Sequence, residues 1–148
     1  MRGFLLGIMS LAWQIAINAG VFWYVISMSF DPFKARVVWL ILDGNPEEAL
    51  RLLGEKYQIA VPEIKVGLPK KLKLKAYGCY TAKNNTIYVR DSDIMVSPLV
   101  ILHEFYHHLR SRSVDKVHRG TEDKADQFAK EYVLQYQMAL KESQKSEL

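Results

Sequence analysis

The chain has 148 residues, 49% of them hydrophobic and 24% charged, which suits one compact domain with a core and excludes a disordered chain. Its formal net charge of +4 is compatible with an acidic lipid surface, with nucleic acid or with no anionic partner, and it selects none of them. The single cysteine, Cys79, excludes an internal disulfide and a cysteine-based zinc site, and it favours a reducing compartment.

Residues 3–30 form the first feature of the chain, an apolar run without a charged side chain. As a helix, this run exceeds the roughly 20 residues that cross a bilayer. A secretory signal peptide would have a shorter apolar core of about 7–15 residues and a small-residue cleavage site, whereas this run continues well past Ala19 and Gly20. We therefore predict a single transmembrane anchor in residues 1–31, ahead of a domain formed by residues 32–148.

The same apolar run also indicates a partner and an orientation. Polar and small side chains recur in it at intervals of four residues, which suits helix–helix contact and makes the run a candidate homo-oligomer interface. Arg2 is the only charged side chain before the run, and Lys34 and Arg36 follow it. The positive-inside rule then places the domain after the anchor in the cytosol. The polar side chains that recur in the run are Ser10, Gln14 and Asn18, and the small ones are Ala12, Ala16 and Gly20.

The segment after the apolar run carries signals for two short helices. Asp31-Pro32 breaks the run, and residues 33–42 are typical of an apolar helix that is too short to span a bilayer, hence an interfacial or core helix. Asn45 can cap a second helix that has Pro46 and two acids in its first turn and continues to about Tyr57.

A lysine-rich segment spans residues 65–75 and begins in an alternating pattern typical of a strand. We interpret it as a solvated edge strand, whose lysines discourage pairing with other chains. The alternative is a patch that contacts acidic lipid. Nucleic acid is disfavoured as a partner because no aromatic side chain interleaves with the lysines. The lysines of the segment are Lys65, Lys70, Lys71, Lys73 and Lys75.

The second half of the chain predicts a hairpin followed by two long helices. Residues 76–82 and 86–90 are rich in strand-forming side chains and flank a turn with two asparagines. A Ser-Pro pair opens a helix over residues 98–112, and a polar loop leads to a last helix over residues 121–143. The predicted fold class is α+β, a small domain in which a short antiparallel or mixed sheet packs on the helix over residues 98–112 and on the C-terminal helix.

The helix over residues 98–112 contains His103, Glu104 and His107, with the His-Glu-x-x-His spacing of zinc-peptidase helices. Residues four apart lie on one face, so both imidazoles can reach one ion, while Glu104 lies about 60° around the helix from His107. There it can accept a proton from water without binding the metal. Apolar neighbours predict a mostly buried helix, and a buried polar line needs partners such as a metal.

Two histidines leave a catalytic zinc site one protein ligand short. The class that adds a third histidine is excluded because Arg110 and Ser113 occupy its glycine and histidine positions. The other class takes a glutamate from the following helix, and Glu122 is the candidate. Asp126, one turn further on, can bind the far nitrogen of a ligand histidine, and alanines on the same face allow the two helices to approach closely.

The pattern His103-Glu104-x-x-His107 followed by Glu122-x-x-Ala125-Asp126-x-Phe128-Ala129 resembles the gluzincin metallopeptidases, most closely those of the ImmA/IrrE type. The strands of the expected hairpin and the early ALRLLGEKYQI helix resemble that family too, so the likeness covers about residues 45–135. It implies a zincin-like domain with one Zn²⁺ per chain, bound by His103, His107 and Glu122, with Glu104 as the general base. The implied substrate is a protein or peptide.

Three further residues are considered around this expected site. An oxyanion-stabilising group is needed, and His118 and Tyr80 are the candidates, although a solvated loop residue is the simpler interpretation of His118. His108 points about 100° away from His107. It is therefore assigned to packing or to the surface rather than to the metal.

Two other functions stay open at this point. A SprT-like protease acting on DNA-bound proteins would share the His-Glu-x-x-His helix and could place the lysine-rich segment on DNA, but the anchor argues against it. A non-catalytic, zinc-stabilised membrane adaptor would need a closed site with a fourth protein ligand, such as His118. The leading hypothesis is a membrane-anchored zinc metallopeptidase that hydrolyses peptide bonds of a protein near the membrane.

Overall fold

The computed structural model describes residues 30–72, 76–112 and 121–147, apart from the Thr121 side chain. These residues form four α-helices and three β-strands, which confirms the predicted α+β class. In chain order they are α1 (Pro32–Leu42), α2 (Pro46–Tyr57), β1 (Glu63–Val66), β2 (Gly78–Thr81), β3 (Thr86–Val89), α3 (Pro98–Arg112) and α4 (Thr121–Ser146). The elements from Pro32 onward belong to one compact unit.

The predicted N-terminal anchor lies outside the described residues, as do His118 and two of the five lysines. Among the helices that the structure describes, none combines the length and the apolar character needed to cross a membrane. The anchor and the membrane orientation therefore stay predictions.

The three strands form one mixed sheet in the order β1-β3-β2. The predicted hairpin is confirmed, because β2 and β3 pair antiparallel with Gly78 opposite Val89 and Thr81 opposite Thr86. Asn85 in the turn has a φ of 52°, a left-handed conformation that asparagine tolerates better than most residues. β1 lies parallel to β3 on the other side, so β2 is an edge strand of the sheet.

The interpretation of the lysine-rich segment as a continuous edge strand is wrong for the described residues that follow Val66, residues 67–72. β1 is an edge strand and contains Lys65, but the chain turns at Gly67, whose φ is 105°. Lys70 and Lys71 then lie in a short 3-10 helix, Lys70–Leu72. A positive φ followed by Pro69 cannot continue the pleated backbone, which is why the strand ends there.

The helix α2 begins and ends through its caps. The Asn45 side chain accepts a hydrogen bond from the Glu48 main-chain N–H at 3.4 Å, and Pro46 occupies the first turn. At the other end Gln58 adopts a left-handed conformation, with a φ of 54°, and its N–H donates to the carbonyls of the last turn. Each cap satisfies main-chain groups that have no partner within the helix.

The core forms where α3 packs on β2 and β3, α4 packs on α3, and α1 packs on α4. Phe105 and Tyr132 are fully buried at its centre, and the Tyr57 and Tyr132 hydroxyls lie 2.9 Å apart. The helix α1 contributes buried side chains and is a core helix on that face. The core consists of Val37, Val38, Leu40, Ile41, Ala49, Leu50, Leu53, Ile87, Val89, Ile101, Leu102, Phe105, Ala129 and Tyr132.

Candidate metal centre

Two histidine side chains of helix α3 converge on one region. His103 and His107 lie one turn apart, and their Nε2 atoms are 3.1 Å from each other. The opposite side of α3 is held in the core by Ile101 and Phe105, which are fully buried. Since the helix is fixed by this apolar side, its polar side has little freedom to rotate, and both rings stay directed at the same region.

Glu122, in the first turn of α4, completes the group. Its Oε2 atom lies 3.1 Å from His103 Nε2 and its Oε1 atom lies 2.9 Å from His107 Nε2. Ala125 and Ala129 are buried on the same helix, and their small side chains allow α4 to approach α3 closely. The ligand atoms of these three residues all lie within 4.8 Å of one another, so the group could hold a metal ion.

The spacing of these ligand atoms fits a tetrahedral ion. Ligand atoms at about 2.0–2.1 Å from a tetrahedral metal lie roughly 3.3–3.4 Å from one another. Here the two histidine Nε2 atoms lie 3.1 Å apart, and each lies close to a different oxygen of Glu122, at 3.1 and 2.9 Å. With one ligand atom taken from each residue, the three atoms lie within 4.8 Å of one another, a range that includes the tetrahedral separation. Two imidazole nitrogens and one carboxylate also form a set of ligand types that borderline metals such as zinc prefer.

Asp126 fixes the orientation of one ligand ring. Its Oδ1 atom accepts a hydrogen bond from His103 Nδ1 at 2.8 Å. A carboxylate acceptor places the ring proton on Nδ1, which leaves a lone pair on Nε2, the atom that faces His107 and Glu122. This is the supporting contact that metal-binding histidines usually have, and the structure brings Asp126 to the position that the sequence predicted for it.

Glu104 lies next to the ligand group without belonging to it. Its side chain is only 8% exposed, and burial raises the pKa of its carboxyl to about 7. The electrostatic effect of His103 and a hydrogen bond from the Tyr80 main chain oppose this rise in pKa, while the charge of Glu122 adds to it. Burial also lowers the pKa of His107, with Glu122 opposing the shift, which favours the neutral imidazole that a metal requires.

A cavity of about 360 Å³ opens beside these residues. One wall is polar and consists of His103, Glu104, Glu122 and Asp126. The other wall comes from the chain that leads into β2 and from the first turn of α3, and it consists of Ala76, Tyr77, Gly78, Leu99 and Val100. Two of the proposed ligands, His103 and Glu122, and Glu104 therefore face a space large enough for part of a peptide.

Gly78 is a site residue that the sequence did not single out. A Cβ atom at this position would lie 2.7 Å from Val100 Cγ1 and 3.2 Å from Glu104 Cγ. Glycine is therefore what allows β2 to lie directly against the part of α3 that carries Glu104. A glycine inside a strand commonly marks such a close approach, and this was the available signal.

His108 belongs to a buried network and not to the metal group. It is fully buried, its Nε2–H donates to the Ala60 carbonyl at 2.7 Å, and its Nδ1 accepts from the Tyr80 hydroxyl at 2.8 Å. Burial lowers the pKa of this imidazole, against the effect of the Ala60 carbonyl. His108 was predicted to be a packing or a surface residue rather than a ligand, and its full burial places it in packing.

The placement of Tyr80 bears on its candidate role in oxyanion stabilisation. Its hydroxyl donates to His108 and also accepts from Ser111 Oγ at 3.3 Å. Tyr80 is not among the residues that line the cavity beside His103. The structure therefore brings the main chain of Tyr80 to Glu104 but directs its hydroxyl elsewhere.

Comparisons with protein-family models, with curated proteins and with solved structures find no match to this chain. The assignment of a function therefore depends on the chemistry of the site. Its decisive features are the converging ligand atoms of His103, His107 and Glu122, the buried carboxyl of Glu104 and the adjoining cavity.

Proposed function

We propose that this chain is a zinc-dependent metallopeptidase that hydrolyses peptide bonds of a protein substrate. The observation that carries the proposal is the convergence of His103, His107 and Glu122 beside a buried glutamate and an open cavity. Metal-assisted hydrolysis needs these parts together: a metal held by three side chains, a carboxylate close to it, and space for the substrate.

Zinc is the metal that this set of ligand types favours. Catalytic zinc sites commonly use two histidines and one glutamate, whereas calcium and magnesium prefer oxygen atoms alone. Zinc held here would polarise the substrate carbonyl and lower the pKa of a neighbouring water. The ligand group has three members among the described residues, and three protein ligands are typical of catalytic sites, whereas structural zinc sites have four. The buried carboxyl of Glu104 and the cavity beside the ligand group favour an enzyme over a zinc-stabilised adaptor.

The chain's own residues supply the proton transfer. Glu104 accepts a proton from the attacking water and returns it to the leaving amine. Burial raises its pKa to about 7 in the metal-free protein, and a buried carboxyl beside the ligand group is placed to take up and release a proton. Asp126 meanwhile holds the His103 ring in the orientation that keeps Nε2 directed at the ligand group.

The sheet edge offers a way to hold an extended substrate. β2 is an edge strand, and its first residue, Gly78, lines the cavity together with Tyr77. The free edge of a strand can bind an extended peptide through main-chain hydrogen bonds. A substrate held there lies beside Glu104 and the ligand group, so the strand edge that binds the substrate and the groups that react with it line the same cavity.

Metal removal tests the proposed enzyme directly. We expect the purified full-length protein to contain about one zinc per chain and to cleave denatured casein. A chelator should remove both the zinc and the cleavage, and added Zn²⁺ should restore them while Mg²⁺ does not. Zinc can be measured by atomic emission and cleavage by gel. Cleavage that continues after the zinc has been removed would contradict the proposal.

We further propose that residues 3–30 anchor the enzyme in a membrane with residues 32–148 in the cytosol. The support is the uncharged length of the run and the basic residues that follow it. In intact cells, a C-terminal tag should resist added protease until detergent is present, and the protein should stay in the membrane fraction at high pH. A tag that is degraded without detergent would reverse the orientation, and release at high pH would exclude the anchor.

A further inference from the structure

The two walls of the cavity differ in chemistry, and we propose that the apolar wall selects an apolar substrate side chain beside the scissile bond. This inference rests on the proposed peptidase function and adds a substrate preference to it. Tyr77 and Leu99 are the residues that determine the preference. Substrates with an acidic side chain at this position are disfavoured.

The apolar wall contains two large side chains that remain open to solvent. Tyr77 is 55% exposed and Leu99 is 49% exposed, although both line the cavity. Val100 and Ala76 continue the same surface and are partly buried. A substrate side chain placed here would remove apolar surface from water on both partners, and this burial favours leucine-like or aromatic residues.

The polar wall disfavours a negative substrate. It carries three carboxylates, those of Glu104, Glu122 and Asp126. A divalent ion at the ligand group would neutralise only part of their charge, and among the described residues the cavity lining includes no lysine or arginine to pair with an acidic side chain. A glutamate or aspartate at this substrate position would meet both apolar surface and like charge in the same cavity.

Tyr77 is held in place before any substrate arrives. The Arg90 guanidinium lies over its ring at 4.6 Å from the centroid, and the Arg90 main-chain N–H donates to the Tyr77 carbonyl at 2.8 Å. The guanidinium is itself fixed by Asp91, at 2.8 Å. A wall that is already ordered selects among side chains at lower entropic cost than a mobile one.

The test uses the full-length, zinc-loaded protein in detergent micelles, with denatured casein as the probe. Mass spectrometry of the new termini should show large apolar residues beside the cleaved bond at least about 10-fold more often than acidic ones, corrected for composition. In the Leu99→Lys variant, kcat/KM for a peptide copied from a preferred site should fall about 10- to 100-fold. For the same peptide with glutamate at that position, kcat/KM should fall less in Leu99→Lys than it does for the apolar peptide, or it should rise.

Leu134→Lys is the matched control. Leu134 is 38% exposed on α4 and does not line the cavity, so this substitution adds the same charge at a leucine of similar exposure and should leave the preference unchanged. Zinc content of each variant shows that the ligand group has formed.

A binding measurement adds a readout independent of turnover. The Glu104→Gln protein should bind the apolar peptide at least about 10-fold more tightly than the version of the peptide that carries glutamate.

Two results would overturn the proposal in different ways. Zinc-dependent cleavage without a side-chain preference, or a preference that survives Leu99→Lys, would refute the apolar selection and leave the peptidase intact. Absence of any zinc-dependent cleavage by the wild-type protein would refute the peptidase itself, and the inference with it.

Discussion

Glu104→Gln is expected to keep its zinc and to lose about 10²- to 10⁴-fold in kcat on denatured casein. The amide has nearly the same shape as the carboxyl but cannot accept the proton of the attacking water. Glu104 is not a member of the ligand group, so metal binding should not depend on it. The measurement is kcat with zinc content determined on the same samples.

The stability of the variant separates a catalytic role from a structural one. Burial raises the pKa of Glu104 to about 7 in the folded protein, so the folded state binds this proton more tightly than the unfolded state does. The free energy of unfolding of the metal-free protein therefore falls as the pH rises from about 4.5 through 7. Glutamine removes that loss, and metal-free Glu104→Gln should melt no lower than metal-free wild type at pH 8.

Glu142→Gln is a suitable control because Glu142 is an exposed glutamate on α4, and its ion-pair partner among the described residues is Lys145, at 3.5 Å. It should change neither kcat nor zinc content. A Glu104→Gln protein that holds zinc and cleaves as fast as wild type would show that another group accepts the proton, and the proposed mechanism would be wrong.

Local signals were sufficient to predict most of the elements around this site. Pro98 and the apolar residues behind the histidines predicted a helix over residues 98–112, and the structure has α3 at those bounds. The asparagine turn predicted the hairpin, and Asn45 predicted the start of α2. Each of these signals acts within a few residues of the chain, which is why one sequence was enough to identify them.

Contacts between distant parts of the chain were not predictable in the same way. The parallel pairing of β1 with β3 joins Ile64 to Ile87, and nothing near either residue specifies that partner. The apolar wall joins Tyr77 to Leu99, two residues that are unremarkable in their own segments. Helical periodicity predicted that Glu122 lies on the same face of α4 as Asp126 and the alanines. Its distance from each histidine depends on how α3 and α4 pack.

His103→Ala should reduce the zinc content from about one per chain to near zero. His103 supplies one of three protein ligands, and its ring also holds the hydrogen bond of Asp126. Asp126→Asn should weaken zinc binding by about 10- to 100-fold without abolishing it, because it changes only the support of the ring. Zinc affinity by competition with a chromophoric chelator measures both.

His108→Ala is the matched comparison, since it removes a neighbouring histidine of the same helix. His108 is fully buried, and its loss leaves the Tyr80 hydroxyl and the Ala60 carbonyl without this partner. This variant should be destabilised by about 2–4 kcal/mol yet still bind zinc. His103→Ala should instead melt only slightly below metal-free wild type, because the hydrogen bond it loses is made to the largely exposed carboxylate of Asp126. Its main loss is the stabilisation that the bound ion contributes.

The opposite behaviour of these two variants is what distinguishes a metal site from a cluster of histidines. A helix whose histidines merely fill space would lose stability on either substitution and would bind no metal in the wild type. Zinc that persists in His103→Ala at wild-type affinity would exclude the proposed ligand set, whatever the activity of the protein. Zinc lost from His103→Ala and kept in His108→Ala would assign the ion to the face of α3 that also carries His107.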